Sequence, residues 1–354
     1  MSLIIRDSFA PYATFADAGQ NKWDVAGLAV LTSTTRFGVG QSFVPTTINN
    51  LVLAKSSPRN EDTIFFAFSW YYNRAFGVGV GDPPIAIQWL DGLTPQVTAV
   101  LSDFDGSMRF YSGGTAGTLL GIYYGAFPAF SWQQFQVEVV ISNVAGEIHV
   151  RRNGSPTDDF VLTGVNTRGG TSNNYANNFY FRTQNSNNIG YCYTMDMWVW
   201  DGNVADTPNT WIGDVKSIWL PPVSDSSVQF TPLSGPSNYL MVNELIEDGD
   251  TSYVYSATPG DKDLYGVQAV PTTPTPVSSI VGLTVRGYAR KTDSGTRTLA
   301  MTMSSAGTPA DGPTTNLSTT YQNVELIQDT DPDTSAPWVV ADVNALLIGQ
   351  KVVS

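Results

Sequence analysis

The chain has 354 residues, 42% of them apolar but only 14% charged, and its formal charge is −13. That charge repels nucleic-acid phosphates, and no run of five or more basic residues offsets it, so a nucleic-acid partner is excluded. Cys192 and His149 are the sole cysteine and histidine, which excludes intrachain disulfides, cysteine-based metal sites and multi-histidine zinc sites.

Glycine (32) and proline (21) at this density, with 12% aromatics, favour many short strands over helices. The N-terminal "MSLIIRDSFAPY" has a short apolar stretch and no cleavage motif, so it does not read as a signal peptide. No stretch reaches the apolar length of a membrane span, so no membrane insertion is expected. Strand-like segments then follow one another between turn signals: "TIFFAFSWYY" (63–72), "IAIQWL" (85–90), "PQVTAVLSD" (95–103), "SMRFYSG" (107–113) and "GTLLGIYYG" (117–125). Next come "FQVEVVIS" (135–142), "GEIHVRRNG" (146–154), "NNFYFRTQ" (177–184) and "TMDMWVWDGN" (194–203). Such spacing predicts an all-β fold, a β-sandwich or jelly roll.

Two of these segments are especially legible. In 135–142 Phe135, Val137, Val139 and Ile141 share a face, and on the return strand Ile148 and Val150 oppose Glu147, His149 and Arg151. Asn153-Gly154 is a strong hairpin signal because both positions tolerate positive φ. His149 thus lies on a polar strand face, paired or solvated rather than catalytic. In 194–203, Met197 and Val199 point one way and Asp196, Trp198 and Trp200 the other. Two tryptophans on the second face fit a sugar platform, a catalytic strand, or a buried contact with a second domain, a neighbouring subunit or a loop. Aromatics are enriched at interface cores and at stacking sites alike. Trp198 and Trp200, with Trp70 and Trp89, are therefore the interface or glycan-platform candidates.

"WIGDVKSIWLPPV" closes the first part, since Pro221-Pro222 cannot continue a central ladder. The reading is a sandwich over 1–222 and a smaller β-rich domain over 223–354, whose residues 223–279 are extended and linker-like. "PTTPTPVSS" (271–279) reads as a stiff loop or linker. Strands follow at 280–291, 296–305 and 321–329, then one short helix from about Ala341 to Leu347, stopped by Gly349.

Catalytic motifs are weak. Several sandwich glucanases carry Glu-x-Asp-x-Glu on one strand face, where a nucleophile and an acid must lie close together. Placing Asp196 at the central position puts Thr194 and Trp198 at the two glutamate positions, and neither can do that work. An enzyme would have to recruit carboxylates from different strands, for example Glu138 with Asp103, about 5–5.5 Å apart if retaining. "FGVGVGDPP" (76–84) looks like a phosphate loop but no helix pattern follows it. "EDGD" (247–250) and "DTDPD" (329–333) could hold calcium through clustered oxygens, yet lack the twelve-residue loop ending in glutamate.

Residues 132–154 resemble the tryptophan-led strand and "G-x-I-x-V-x-x-N-G" hairpin of concanavalin A-like, laminin-G-like sandwiches. Residues 195–222 resemble the ending of a phage-encoded branch of that group, with Trp211-Ile212-Gly213-Asp214-Val215 as its second half. "RDSFAPYAT" with Lys22-Trp23, "FTPLSGPSNYLMVNELIEDGDTSYVYSATPGDKDLY" and the closing "WVVADVNALLIGQKVV" look like segments common in phage virion proteins. The resemblance implies a concanavalin A-like jelly roll in a non-enzymatic structural part of a tailed bacteriophage or phage-like particle, in tail, fibre or head decoration. It implies other virion proteins and copies of itself as partners, assembly in the bacterial cytoplasm and release by lysis. The group's calcium aspartates do not carry over, because Met197 stands at the second position, so no cofactor is assigned beyond a possible Ca2+. The alternative is a module on the virion that recognises a host surface glycan.

Overall fold

The computed structural model describes residues 3–354 except 21, 38–39, 49, 78–84, 185–188, 203–208 and 273–276. The chain divides into two compact units, Ser2–Ser217 and Ile218–Ser354. Almost all regular structure is β, with one short α-helix, and no helix among the described residues is long and apolar enough to cross a membrane.

The first unit contains β1 (Leu3–Asp7), β2 (Val25–Ala26), β3 (Ala29–Thr32), β4 (Ser42–Pro45), β5 (Leu51–Glu61), β6 (Thr63–Tyr72), β7 (Ile85–Asp91) and β8 (Thr94–Leu101). It continues with β9 (Met108–Ser112), β10 (Thr118–Tyr123), β11 (Gln133–Val140), β12 (Gly146–Arg152), β13 (Phe160–Val165), β14 (Ala176–Thr183) and β15 (Cys192–Asp201). These form two antiparallel sheets. The first runs β13-β12-β11-β6-β15-β4-β3, with β1 also on β15, and the second runs β10-β9-β8-β7-β14-β5-β2. Strands distant in sequence lie side by side, as in a jelly roll.

Period-two alternation builds the core between the sheets. Phe66, Phe68 and Trp70 of β6, Val137 and Val139 of β11, and Met197 and Val199 of β15 all point inward. From the other sheet Trp89 meets Phe66 edge-on at 6.2 Å, and Phe181 meets Phe43 at 5.4 Å. Trp70 and Trp89 are completely buried in this core, which corrects their assignment as platform residues. The hairpin signal is real: Asn153 (φ 52°) and Gly154 (φ 72°) turn the chain, and Ser155 N–H donates to Arg152 O at 3.0 Å. The connection to β13 is longer than two residues, because the chain runs on through 155–159 before Val150 pairs with Phe160.

The N-terminal "RDSFAPY…KW" closes on one buried carboxylate. Asp7 accepts from Phe9 N–H (2.9 Å), Tyr12 Oη–H (2.8 Å) and Trp23 Nε1–H (2.8 Å), with Lys22 Nζ at 4.0 Å. A carboxylate holding three donors can be buried at little net cost, and it ties the first strand to the following loop.

The second unit contains β16 (Pro222–Ser227), β17 (Thr231–Pro232), β18 (Val254–Tyr255), β19 (Lys262–Val267), β20 (Leu283–Ala289), β21 (Thr298–Ser305), β22 (Thr308–Asp311), β23 (Thr315–Asn316), β24 (Gln322–Gln328), α1 (Val340–Asn344) and β25 (Leu347–Val352). Its larger sheet runs β16-β19-β25-β21-β22, with β23 on β21, and the β20–β24 pair supplies the opposing layer. Val285, Val324 and Leu326 from that pair share a core with Leu299, Met301 and Met303 of β21.

Residues 223–279 are not a linker, because they furnish β16 and β19 of this sheet. Pro222 starts β16 at the sheet edge, where a missing N–H is tolerated. Of "PTTPTPVSS", residues 273–276 lie outside the described residues. The expected helix is shorter and earlier, since β25 begins at Leu347. Gly349 does not stop the helix. It sits within β25, where a Cβ would lie 1.9 Å from Asp263 O, so the close approach of β19 requires glycine there.

Candidate functional site

β15 is irregular at its centre. Met195 pairs with Ser69 and Trp198 with Ala67, so Asp196 and Met197 together oppose a single residue of β6. Asp196 takes φ 50°, which an aspartate tolerates better than most residues. The bulge reverses the face of everything before it: Thr194, paired with core Trp70, cannot share a face with Trp198. The alignment of Thr194, Asp196 and Trp198 with a catalytic triplet assumed unbroken alternation, so its premise fails.

Trp198 and Trp200 do lie on the outer face of the first sheet, as alternation beyond the bulge requires, but neither offers a free ring. Trp198 is 3% exposed beneath Arg6, whose guanidinium carbon is 5.2 Å from the ring centroid. Trp200 is fully buried, stacked on Phe65 at 5.2 Å, with Nε1–H donating to Thr210 O at 3.0 Å. Residues 210–214 strap this half of the face. Gln136 holds them, its Oε1 accepting from Ile212 N–H at 3.0 Å while its amide donates to Gly213 O. Trp211 packs edge-on against Phe65 at 5.3 Å, and Arg151 lies 4.2 Å above Trp211. The cover therefore comes from this unit's own chain, and all four predicted tryptophans are packing residues.

The other half of the same face is covered over Ser69, Gln134 and Met195, where Arg36 N–H donates to Met195 Sδ at 3.2 Å, and is part-exposed only at its end. Across β11's leading residue, β6 and β15, the side chains of Trp132, Tyr71 and Tyr193 form a row. Trp132 stacks on Tyr71 at 5.4 Å and Tyr193 meets Tyr71 edge-on at 5.6 Å. All three are half-buried. Phe130, two residues before Trp132, is 58% exposed and holds φ 59°. A bulky residue in that region costs on the order of 1 kcal/mol, and such strain concentrates at binding sites.

The next row inward is polar and buried. Gln134 pairs with Ser69, which pairs with Met195. Gln134 is 2% exposed, yet among the described residues neither its Oε1 nor its Nε2 has a hydrogen-bond partner, and Ser69 Oγ also lacks one. Buried amides left this way cost free energy, and such groups mark strained or functional positions. Beside them stands Asp196, whose Oδ2 is likewise unpartnered. Burial pushes its carboxyl up to about 7; nearby Arg36 opposes this, while the Asp214 and Asp7 carboxylates add to it. Arg36 is itself held by Asp214, with Nη2 to Oδ2 at 2.6 Å.

Asp196 makes stability fall as pH rises. In the unfolded chain its carboxyl ionises near about 3.9, whereas in the folded protein it keeps its proton until about 7. Its stabilising share is fully present below about pH 4 and is lost through pH 7. Asp196→Asn should remove that dependence, so that the variant exceeds the wild type above pH 7 by about 4 kcal/mol. Urea midpoints of both proteins from pH 4 to pH 8 check this; parallel curves refute it.

His149 sits on the outer face further along, in a closed ion-pair network. Nδ1 lies 2.8 Å from Asp158 Oδ2, Nε2 lies 3.1 Å from Glu147 Oε2, and Arg151 Nε donates to Asp158 Oδ1 at 2.8 Å. Burial would lower the imidazole's pKa, but the two carboxylate hydrogen bonds outweigh it and raise it. Glu138, paired with His149 across the strands, is raised by burial. Asp103 is elsewhere, bonded to core Tyr72 and close to the buried Cys192. The core between the sheets separates Glu138 from Asp103, and the two form no carboxylate pair.

The acidic turns hold themselves together. Asp248 accepts from Ser252, Asp250 from Arg290 and Tyr321, and Asp331 from Asp333 N–H. Among the described residues no group of three His, Cys, Asp or Glu could hold a metal ion. Residues 78–84 of the glycine-rich "FGVGVGDPP" lie outside the described residues. The sequence reading missed Tyr71, Tyr193 and Phe130 and took Trp132 only as a strand marker. Alternation from core Trp70 puts Tyr71 on the outer face, but no local signal distinguishes the strapped half of that face from its part-exposed end.

The part-exposed end matches a flat amphipathic ring. Aromatic faces cover apolar C–H surfaces, and the buried Gln134 amide behind them can meet rim hydroxyls only by turning outward. No family model and no curated protein matches this chain. Among solved structures it is similar to the catalytic domain of a glycoside hydrolase family 131 protein from Coprinopsis cinerea, at 16% identity and TM-score 0.38, covering 60% of this chain and 99% of that one. It is also similar to the CBM2 module of the evolved Dit of Lactobacillus casei BL23 phage J-1, at 9% identity and TM-score 0.37, covering 56% and 94%. A third is the VIP36 exoplasmic/lumenal domain in its Ca2+/Man3GlcNAc-bound form, at 12% identity and TM-score 0.35, covering 53% and 86%. A catalytic domain stands among these similar structures, so the expectation that the chain is not an enzyme does not hold.

Proposed function

We propose that this chain is a component of a tailed bacteriophage or phage-like particle, in tail, fibre or head decoration, whose first sandwich recognises a host surface glycan. The observation that carries the glycan reading is the part-exposed Trp132–Tyr71–Tyr193 row, with the Gln134 amide buried behind it. The particle reading is supported by the ordered segments that resemble virion proteins. On this reading the chain assembles with other virion proteins and with copies of itself, in the bacterial cytoplasm, and leaves by lysis. Its domains are a recognition sandwich over 1–222 and an assembly domain over 223–354.

A glycan array probed with the wild type and Trp132→Ala tests the first half. Signal on a defined set of glycans should fall at least about tenfold in the variant, the equivalent of one lost stacking contact. Silence of the wild type on every glycan, or equal signal from the variant, defeats it. Mass spectrometry of purified particles tests the second half, and their lack of this chain defeats that.

A further inference from the structure

The second unit contains a groove of about 370 Å³, in the size range of small-ligand sites. One wall is a ladder of alternating residues on β20 and their neighbour: Arg286 lies 5.8 Å from the Tyr288 ring, Tyr288 stacks on Tyr321 at 5.0 Å, and Arg290 lies 5.2 Å from Tyr321. The ladder's faces are thus already occupied. Leu299 and Met301 line the groove as apolar residues, and the segment 241–257 brings Met241, Tyr253 and Tyr255 to it.

The charges in the lining are unevenly matched. Arg290 is held by Asp250 at 2.9 and 3.0 Å, Arg297 by Asp293 at 2.8 Å, and Arg286 lies 3.6 Å from Glu247. Lys291 donates to the Gly295 carbonyl at 2.5 Å. Glu244 and Asp248 have no lysine or arginine in ion-pair reach among the described residues, and the charges felt by Glu244 are the carboxylates of Asp248 and Glu247. Apolar walls, tyrosine rings and two carboxylates without an ion-pair partner suit a long apolar stem ending in a cation. An anion is disfavoured there, because five lining carboxylates (Glu244, Glu247, Asp248, Asp250 and Asp293) outnumber four lining cations (Arg286, Arg290, Lys291 and Arg297).

We propose that this groove takes a lysine or arginine side chain carried on an extended segment of a partner protein, with Glu244 and Asp248 receiving the charge. The stem packs on Leu299 and Met301, and the tyrosines flank it. The site is independent of the aromatic row on the first unit, and either can exist without the other.

The test uses the full-length chain with methyl-labelled methionines, since Met241 and Met301 both line the groove. The probes are an acetylated, amidated tri-lysine peptide and maltotriose. The methyl signals of Met241 and Met301 should shift saturably with tri-lysine, with an affinity that falls in higher salt. Glu244→Gln should weaken binding about fivefold or more, while Asp62→Asn, an equal loss of charge on an exposed residue of the first unit, should leave it unchanged. Absence of shifts, equal weakening by both variants, or shifts with maltotriose alone overturns the proposal. The last result identifies the groove as a sugar site instead.

Discussion

Asp263→Ala is expected to unfold the second unit's sheet while leaving the first unit's sheets intact. Asp263 is fully buried and its carboxylate gathers four donors: Gln229 N–H (2.6 Å), Phe230 N–H (2.9 Å), Asn238 Nδ2–H (2.7 Å) and Tyr265 Oη–H (2.6 Å). Removing the acceptor strands the three buried donors away from water and leaves the part-buried Gln229 N–H without its partner, at on the order of 4 kcal/mol in total. A domain whose whole stability is about 5–15 kcal/mol loses much of it. Tyr265 also anchors β25 by accepting from Gln350 Nε2–H at 2.9 Å, so the damage spreads from β19 to the centre of the sheet. Hydrogen–deuterium exchange of the full chain reads this directly. Peptides from 222–267 and 347–352 should lose protection, while those from β6 and β11 keep theirs. Unchanged protection in 222–267 shows that the knot does not hold the sheet.

This knot gives physical content to what resemblance alone could only mark. "FTPLSGPSNY" and "GDKDLY" come together in the fold because Phe230, Asn238 and Tyr265 close on the Asp263 carboxylate. The opening "RDSFAPY…KW" does the same around Asp7. Both motifs serve folding first; the Asp7 knot takes no part in the aromatic row, while Phe230 and Tyr265 of the Asp263 knot also line the tyrosine groove.

The strands were legible because burial imposes period two. Residues 135–140 and 147–152 pair Val137 with Val150 and Val139 with Ile148, as their alternation requires. What escaped was everything set by a break in that period or by distant chain. The bulge at Asp196 depends on a φ that no neighbour in the sequence announces. The burial of Trp198 and Trp200 depends on the strap at 210–214 and on Arg6, about ten and nearly two hundred residues away. Gly349 reads as a helix stop when only local signals are weighed, yet its role is set by Asp263 across the sheet. The aromatic row follows the same logic: Tyr71 and Trp132 stay half-buried because the strap at 210–214 lies over Trp200 and not over them.

Gln134→Met is expected to raise stability and, on the proposed function, to weaken glycan binding in one step. The native side chain buries an amide whose two polar atoms have no hydrogen-bond partner among the described residues, a standing cost of about 1–3 kcal/mol. Methionine has nearly the same length and no such demand, so the variant should gain about 2 kcal/mol, or about 6 °C in Tm. A group kept at that cost is explained when a ligand completes its hydrogen bonds, which is the usual exchange of stability for binding at functional sites. The same variant should therefore lose at least about tenfold in affinity for any glycan the wild type binds. Thermal unfolding and the array together check both halves. The sign of the stability change is decisive: if Gln134→Met lowers Tm, ordered water already satisfies the amide, and the residue serves the sheet rather than a sugar.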